Sequence, residues 1–135
     1  MAGLHARTPY KISDLERNTN ALVNAMQNPL IKIISHPYRT EYPVNIDRVF
    51  QEAYETNTLL EINNQTFSQQ GNNDLFLETY KRLVELSRLY GHPLIAGSDA
   101  HVAKKIGDDS EIVAVREAIG LTENLLINNC PEELL

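Results

Sequence analysis

Leu94-Ile95-Ala96-Gly97-Ser98-Asp99-Ala100-His101 decides how the rest of the chain is read. The apolar run Pro93 to Ala96 reads as a buried strand, Gly97 ends it, and a polar cluster follows at once. In extended backbone, residues two apart share a side. Asp99 and His101 are therefore expected to aim a carboxylate and an imidazole at one point beyond the strand's carboxyl end. Parallel α/β folds place their chemistry at such ends, and both groups are metal ligands. The competing reading makes Asp99 a helix N-cap, a common role for Asp, and His101 a solvated loop residue.

Working outward, the chain before this stretch alternates. Met1 to His5 reads as the end of a strand, and Ala6 to Ser13 as a polar loop punctuated by Pro9. A helix is expected from Asp14 to Gln27, with Leu15, Leu22, Val23 and Met26 as its inward stripe. Asn28-Pro29 stops it. The β-branched run Ile31 to Ile34 reads as a strand, and His36, held extended by Pro37, as its continuation. Ile46 to Glu55 reads as a helix with Val49, Phe50 and Ala53 inward, and Thr58 to Ile62 as a strand. A long loop containing Gly71 should follow. Then comes a helix from Asn73 to Tyr90, patterned by Leu75, Leu77, Tyr80, Leu83, Val84, Leu86 and Leu89 and ended by Gly91. Beyond the central stretch, Ser110 to Ala118 reads as a helix, Leu125 to Ile127 as a last strand, and Pro131 to Leu135 as a terminal turn. Strand and helix alternating in this way predict an α/β fold with parallel strands and right-handed crossovers. No phosphate-cradling Gly-rich loop follows any strand, which speaks against a nucleotide-binding open sheet.

Composition narrows the function classes. The chain has 135 residues, 42% of them hydrophobic, which suits one domain with a real core. A formal net charge of −6 speaks against a nucleic-acid partner. It leaves room for a small phosphorylated substrate, because a metal or an Arg reverses the local field. Cys130 is the single cysteine, so no intrachain disulfide forms and a reducing, cytoplasmic setting is expected. There is no signal-peptide pattern at the start, and no apolar run approaches the roughly 20 residues of a membrane span.

The polar residues fall where the strands end. His5, His36, Glu61 with Asn63, and Asp99 with His101 all lie at carboxyl ends of expected strands, which share one rim in a parallel arrangement. Three imidazoles and a carboxylate on one rim suit a divalent metal, zinc first, with manganese or iron as alternatives. Arg39, Lys104 and Lys105 lie in rim loops within reach of a phosphate. Each residue also has a structural reading: a terminus for His5, a loop cap for His36, a carboxylate bonded to backbone amides for Glu61, solvated loop charges for the cations. His92, between Gly91 and Pro93, falls before its strand and reads as an ordinary surface residue.

The quoted segments carry a resemblance. Gly3-Leu4-His5, Ile34-Ser35-His36-Pro37, Leu60-Glu61-Ile62-Asn63-Asn64, Gly97-Ser98-Asp99-Ala100-His101 and Ile106-Gly107-Asp108, in this order and spacing, resemble the PHP (polymerase and histidinol phosphatase) family, in its bacterial metal-dependent phosphatase branch. The resemblance implies a distorted barrel of seven βα units, (β/α)7, with three metals at its carboxyl rim. His5 and His36 would hold one metal, Asp99 a second and His101 a third. Glu61 and Asn63 would be supporting residues. The family's opening His-x-His, its two further histidines and its bridging Glu have no counterpart, so residues 1–135 resemble the carboxyl-terminal half of such a barrel. Tyr38 also stands where close relatives often have Gly.

The expected function is therefore a metal-dependent phosphoesterase that hydrolyses a phosphomonoester with metal-activated water attacking phosphorus, Asp99 and His101 being its catalytic residues. One copy of the chain is expected to hold an incomplete site and to self-associate through open barrel edges. Two alternatives stand beside this: a noncatalytic half-domain that binds a metal or a partner chain, and a complete small α/β binding domain with coincidental rim residues.

Overall fold

A computed structural model describes residues 1–5, 14–130 and 132. The expected loop 6–13 and nearly all of the terminal turn 131–135 lie outside them. Three parallel strands form the centre: β1 (Ile33–Ile34), β2 (Leu59–Asn63) and β3 (Leu94–Gly97), in the order β1-β2-β3. Single parallel bridges, Ala2 to Ile34 and Leu94 to Leu126, extend the sheet at both edges. Ala2, Ile34, Leu60, Leu94 and Leu126 thus make one row across the sheet. In the middle of that row Ile34, Leu60 and Leu94 are fully buried. All five residues of β2 are buried, as expected for a central parallel strand covered on both faces.

The helices alternate with the strands. α1 (Leu15–Met26) begins at Asp14, whose carboxylate accepts the Arg17 N–H at 2.9 Å. α2 (Ile46–Thr56) begins at Asn45 and ends at Asn57, which takes the left-handed conformation at φ 52°. α4 (Asp74–Tyr90) begins at Asn73 and ends at Gly91, at φ 63°. A short α5 (Ser110–Val115) follows β3. α1 packs on α2, and α2 on both α4 and β2. The architecture is α/β with a small parallel sheet, as the alternation predicts. Among the described residues no helix is long and apolar enough to cross a membrane.

Five local expectations are corrected. Residues 64–70 are not loop but a helix, α3 (Asn64–Gln70), set off by Asn63, whose Oδ1 accepts from both the N–H and the hydroxyl of Thr66 at 2.9 Å. With Phe67 as its one large apolar residue it shows no periodicity. The Leu125–Ile127 strand is replaced by two 3-10 turns, Glu123–Leu125 and Ile127–Asn129. There the Asn128 side chain takes the place of a strand backbone, giving and accepting hydrogen bonds with Ala96 at 3.0 and 2.7 Å. The inward face of α4 is rotated: Phe76 and Ser87 are buried, while Leu75 and Leu89 are 66% and 75% exposed. In α1, Asn18 and Thr19 are buried beside Leu22 and Met26, and Leu15 is exposed. Asn18 Nδ2 donates to the Pro43 carbonyl and Thr19 Oγ1 accepts from the Asn45 N–H, so both polar groups are satisfied. Finally, His92 is buried. Its Nε2 donates to the Thr58 carbonyl at 2.9 Å, and its ring meets Phe50 and Tyr54 edge-on.

Candidate active site at the carboxyl ends of the strands

The site begins with two imidazoles. The rings of His5 and His36 lie with centroids 4.6 Å apart, edge to face at 77°. Ala2 makes this possible: its N–H donates to the Ile33 carbonyl and its own carbonyl accepts from Ser35, which fixes residues 1–5 beside β1. Gly3 leaves the room. A Cβ there would come within 3.2 Å of His36 Cε1, 3.4 Å of His5 Nε2 and 3.1 Å of the Ser35 carbonyl.

His36 does not continue the strand, contrary to the expectation drawn from Pro37. It turns, with φ at +33°, a region that bulky residues rarely occupy. What outweighs the local preference is Glu61, which accepts the His36 backbone N–H at 3.0 Å. The His36 ring is buried, and its Nδ1 has no hydrogen-bond partner among the described residues. Burial first, and the charge of His5 second, lower its affinity for a proton. The neutral ring follows, and that is the form that ligates a metal.

This has a consequence for stability. The unfolded chain takes up a proton on His36 near the ordinary value of 6.5, whereas the fold resists it to lower pH. In the metal-free chain, stability contributed by His36 is present above about pH 6.5 and is lost as pH falls toward the folded value. Urea midpoints at about pH 7.5 and 5.5 should show the decline, and His36→Gln should flatten it. An equal slope in the variant would remove His36 as the cause.

Glu61 is the centre of the buried polar network. Its Oε2 accepts from Ser35 Oγ at 2.5 Å, His36 N at 3.0 Å and Asn63 Nδ2 at 2.9 Å. The supporting Asn63 joins this carboxylate to the start of α3. Asn64 in turn accepts the Glu111 and Ile112 N–H groups at 2.9 and 3.1 Å, tying α5 to the same end of the sheet.

Asp99 and His101 meet by a turn rather than along an extended strand. Asp99 has φ +51°, and His101 Nδ1 donates to the Asp99 carbonyl at 2.8 Å. A carbonyl can only accept, so Nδ1 carries a proton, and in the neutral ring Nε2 is the nitrogen with the lone pair. The His101 side chain is 71% exposed and stands 3.9 Å from Asp99 Oδ1. Two site residues, His36 and Asp99, thus share positive φ, a strain of about 1–3 kcal/mol each that concentrates at functional sites.

The rim cations differ in their surroundings. Arg39 donates through Nη2 to Gln69 at 2.8 Å, while its buried Nε has no hydrogen-bond partner among the described residues and lies 3.8 Å from Glu41. Lys105 pairs with Asp108 at 2.5 Å, which with the Ser110 N–H holds that half-buried carboxyl at a pKa of about 2. Lys104 is exposed. A cavity of about 330 Å³ opens beside Gly97 and Ser98, walled by Ile112, Arg116, Leu121 and Asn128.

For metal, the residues fit in part. The buried, unpartnered Nδ1 of His36 beside a second imidazole is donor chemistry suited to a divalent ion. Among the described residues, however, no group of three or more His, Cys, Asp or Glu side chains is arranged to hold one. Sequence reasoning gave no role to Ser35, Gly3 or Asn128 and read Gly97 only as the end of its strand. Their signals were weak, since each acts through hydrogen bonding or close approach rather than through a ligand pattern.

A family profile described as PHP-associated matches residues 80–108, which include β3 and the Asp99-x-His101 turn. A "probable phosphatase" of Thermoanaerobacter sp. (strain X514) is 36% identical over 130 residues, covering 95% of this chain and 51% of the relative. One of Clostridium novyi is 37% identical over 123 residues, covering 90% and 49%. One of Shewanella piezotolerans is 38% identical over 138 residues, covering 100% and 53%. The chain spans about half the length of the curated relatives it matches.

Proposed function

From the premise that this chain is a PHP-family protein, matched over the family's carboxyl-terminal part, we propose that it supplies half of a metal-dependent phosphomonoesterase site. The observation that carries the reading is the His5–His36 pair, two imidazoles in contact at the end of β1, one with a buried nitrogen that no group among the described residues satisfies. In this reading the three strands and their helices are half of a (β/α)7 barrel, and the sheet edges at Ala2 and Leu126 are where association occurs.

His5 and His36 would hold a divalent ion, zinc first, with manganese or iron as alternatives. Asp99 and His101 would serve further ions. Bound metal supplies Lewis acidity toward phosphoryl oxygens and lowers the pKa of water. The chain's own groups do the rest. His101, exposed and with Nδ1 held on the Asp99 carbonyl, is placed to ligate or to move a proton through Nε2. The buried Arg39 Nε is a donor suited to a phosphate oxygen. Two nitrogens fall short of the three protein ligands usual for catalytic zinc, so affinity should be modest and water or another chain segment completes the shell. The alternative, a noncatalytic metal- or partner-binding half-domain, rests on the same shortfall.

The test is titration of the 135-residue chain with Zn²⁺ in competition with a chelator. His5→Ala and His36→Ala should each weaken binding by roughly 10- to 100-fold. Affinity unchanged in both variants would end the reading.

A further inference from the structure

We propose that Glu61 and Gly97 are an interlocked pair, with Glu61 the positioning residue for both His36 and the Gly97–His101 turn. The inference concerns the chain's own groups and stands whether or not the site takes an ion, so a failed zinc titration leaves it intact.

Glu61 lies on the central strand and reaches both neighbours. Toward β1, its Oε2 gathers the Ser35 hydroxyl and the His36 N–H, with Asn63 Nδ2 as third donor. Toward β3, its Oε1 fills the space at Gly97 where a side chain would begin. A Cβ there would overlap Oε1 outright and stand 3.0 Å from the carboxyl carbon. Gly97 belongs to β3 and its φ is not positive. Alanine is therefore conformationally allowed at 97, and the glutamate is what excludes it. A free glutamate would swing aside cheaply; this one is pinned by three donors, and moving it releases the backbone of His36.

A core selected for stability alone would place an apolar residue here, since a buried carboxylate carries a desolvation cost even when well bonded. The arrangement instead joins two strained turns. His36 at φ +33° hangs directly on the Glu61 carboxylate, and Asp99 at φ +51° lies two residues past Gly97. One side chain thereby sets the separation of the two halves of the site.

The experiment is amide hydrogen exchange by NMR in the metal-free chain. The variants are Glu61→Ala, Glu61→Gln, Gly97→Ala and the Glu61→Ala/Gly97→Ala double variant. The Leu83 and Val84 amides, on fully buried core residues, report global opening. Glu61→Ala and Gly97→Ala should each speed exchange at His36, relative to Leu83, by on the order of tenfold or more, the worth of a hydrogen bond to a charged group. Glu61→Gln retains an acceptor and should recover much of the protection. In the double variant Gly97→Ala should add nothing, because the atom it strikes is gone. Should Gly97→Ala fail to fold, the double variant should fold again. Unchanged exchange at His36 in Gly97→Ala, effects that multiply in the double variant, or a double variant that stays unfolded where Glu61→Ala alone folds would each overturn the proposal.

Discussion

Phe76→Ala should cost the fold about 3–5 kcal/mol, the range for truncating a fully buried aromatic. Phe76 has no exposed surface. Its ring centroid lies 4.7 Å from Tyr80, 5.1 Å from Phe67 and 6.2 Å from Tyr38. Those three rings come from α4, α3 and the segment after His36, so the hole cannot be filled by a small shift of one element. Marginal stabilities of about 5–15 kcal/mol are usual for a domain, and the loss would take a large part of that. The adjacent Leu75, 66% exposed, is the control: Leu75→Ala should stay within about 0.5 kcal/mol. Urea denaturation at fixed pH measures both. Near-equal losses at 75 and 76 would mean that α4 turns a different face to the core. The same truncation should also loosen the site's support, because Tyr80 of this cluster donates its hydroxyl to the Tyr38 carbonyl at 3.2 Å, two residues past His36.

The contrast between Leu75 and Phe76 shows where sequence reading runs out. Residues 75, 77, 83, 86 and 89 are all leucine, and at about 3.6 residues per turn all but Leu77 share one side of the helix, turned from the side that Phe76, Tyr80, Val84 and Ser87 bury. Periodicity gave the helix its existence and its Gly91 end, but the face was decided by rings arriving from α3 and from the segment after His36. The strands were legible for a simpler reason. Runs such as Ile31 to Ile34 and Leu94 to Ala96 are apolar, short and bounded, and they fall into one row in the sheet. α3 was not legible because its origin is a side-chain cap, Asn63 on Thr66, which leaves no apolar pattern. The same holds for the Leu126 segment, where an asparagine side chain replaces a strand's backbone. At the site, the rim residues were visible in the chain because each follows a strand. Their conformations were not. Pro37 argued for an extended His36, and a hydrogen bond from a residue 25 positions away reversed it.

Joined to the amino-terminal half of one of its phosphatase relatives, this chain should release phosphate from an aryl phosphate in the presence of zinc or manganese, while the 135-residue chain alone should do so very slowly or not at all. The expectation rests on the proposed function and on a count of ligands. Displacement at phosphorus needs positive charge on both the attacking and the leaving oxygen. The described residues bring two imidazoles together at His5 and His36, with Asp99 and His101 in a separate turn. No cluster of three metal-holding groups exists among them. Loss of even one residue supporting a metal costs roughly 10- to 100-fold in affinity or activity, and here whole ligand sets are at issue. In the joined protein, His101→Ala should lower kcat by about 10²–10⁴-fold, the usual contribution of a positioned proton-transfer group. Asp99→Ala should lose activity together with bound metal, which elemental analysis of the purified variant would register. The exposure of the His101 side chain is what makes the first of these a test of chemistry rather than of folding, since removing that ring leaves the buried network around Glu61 in place. Robust metal-dependent turnover by the 135-residue chain alone would show that fewer ligands suffice. Full activity in His101→Ala would move the proton-transfer role elsewhere on the rim.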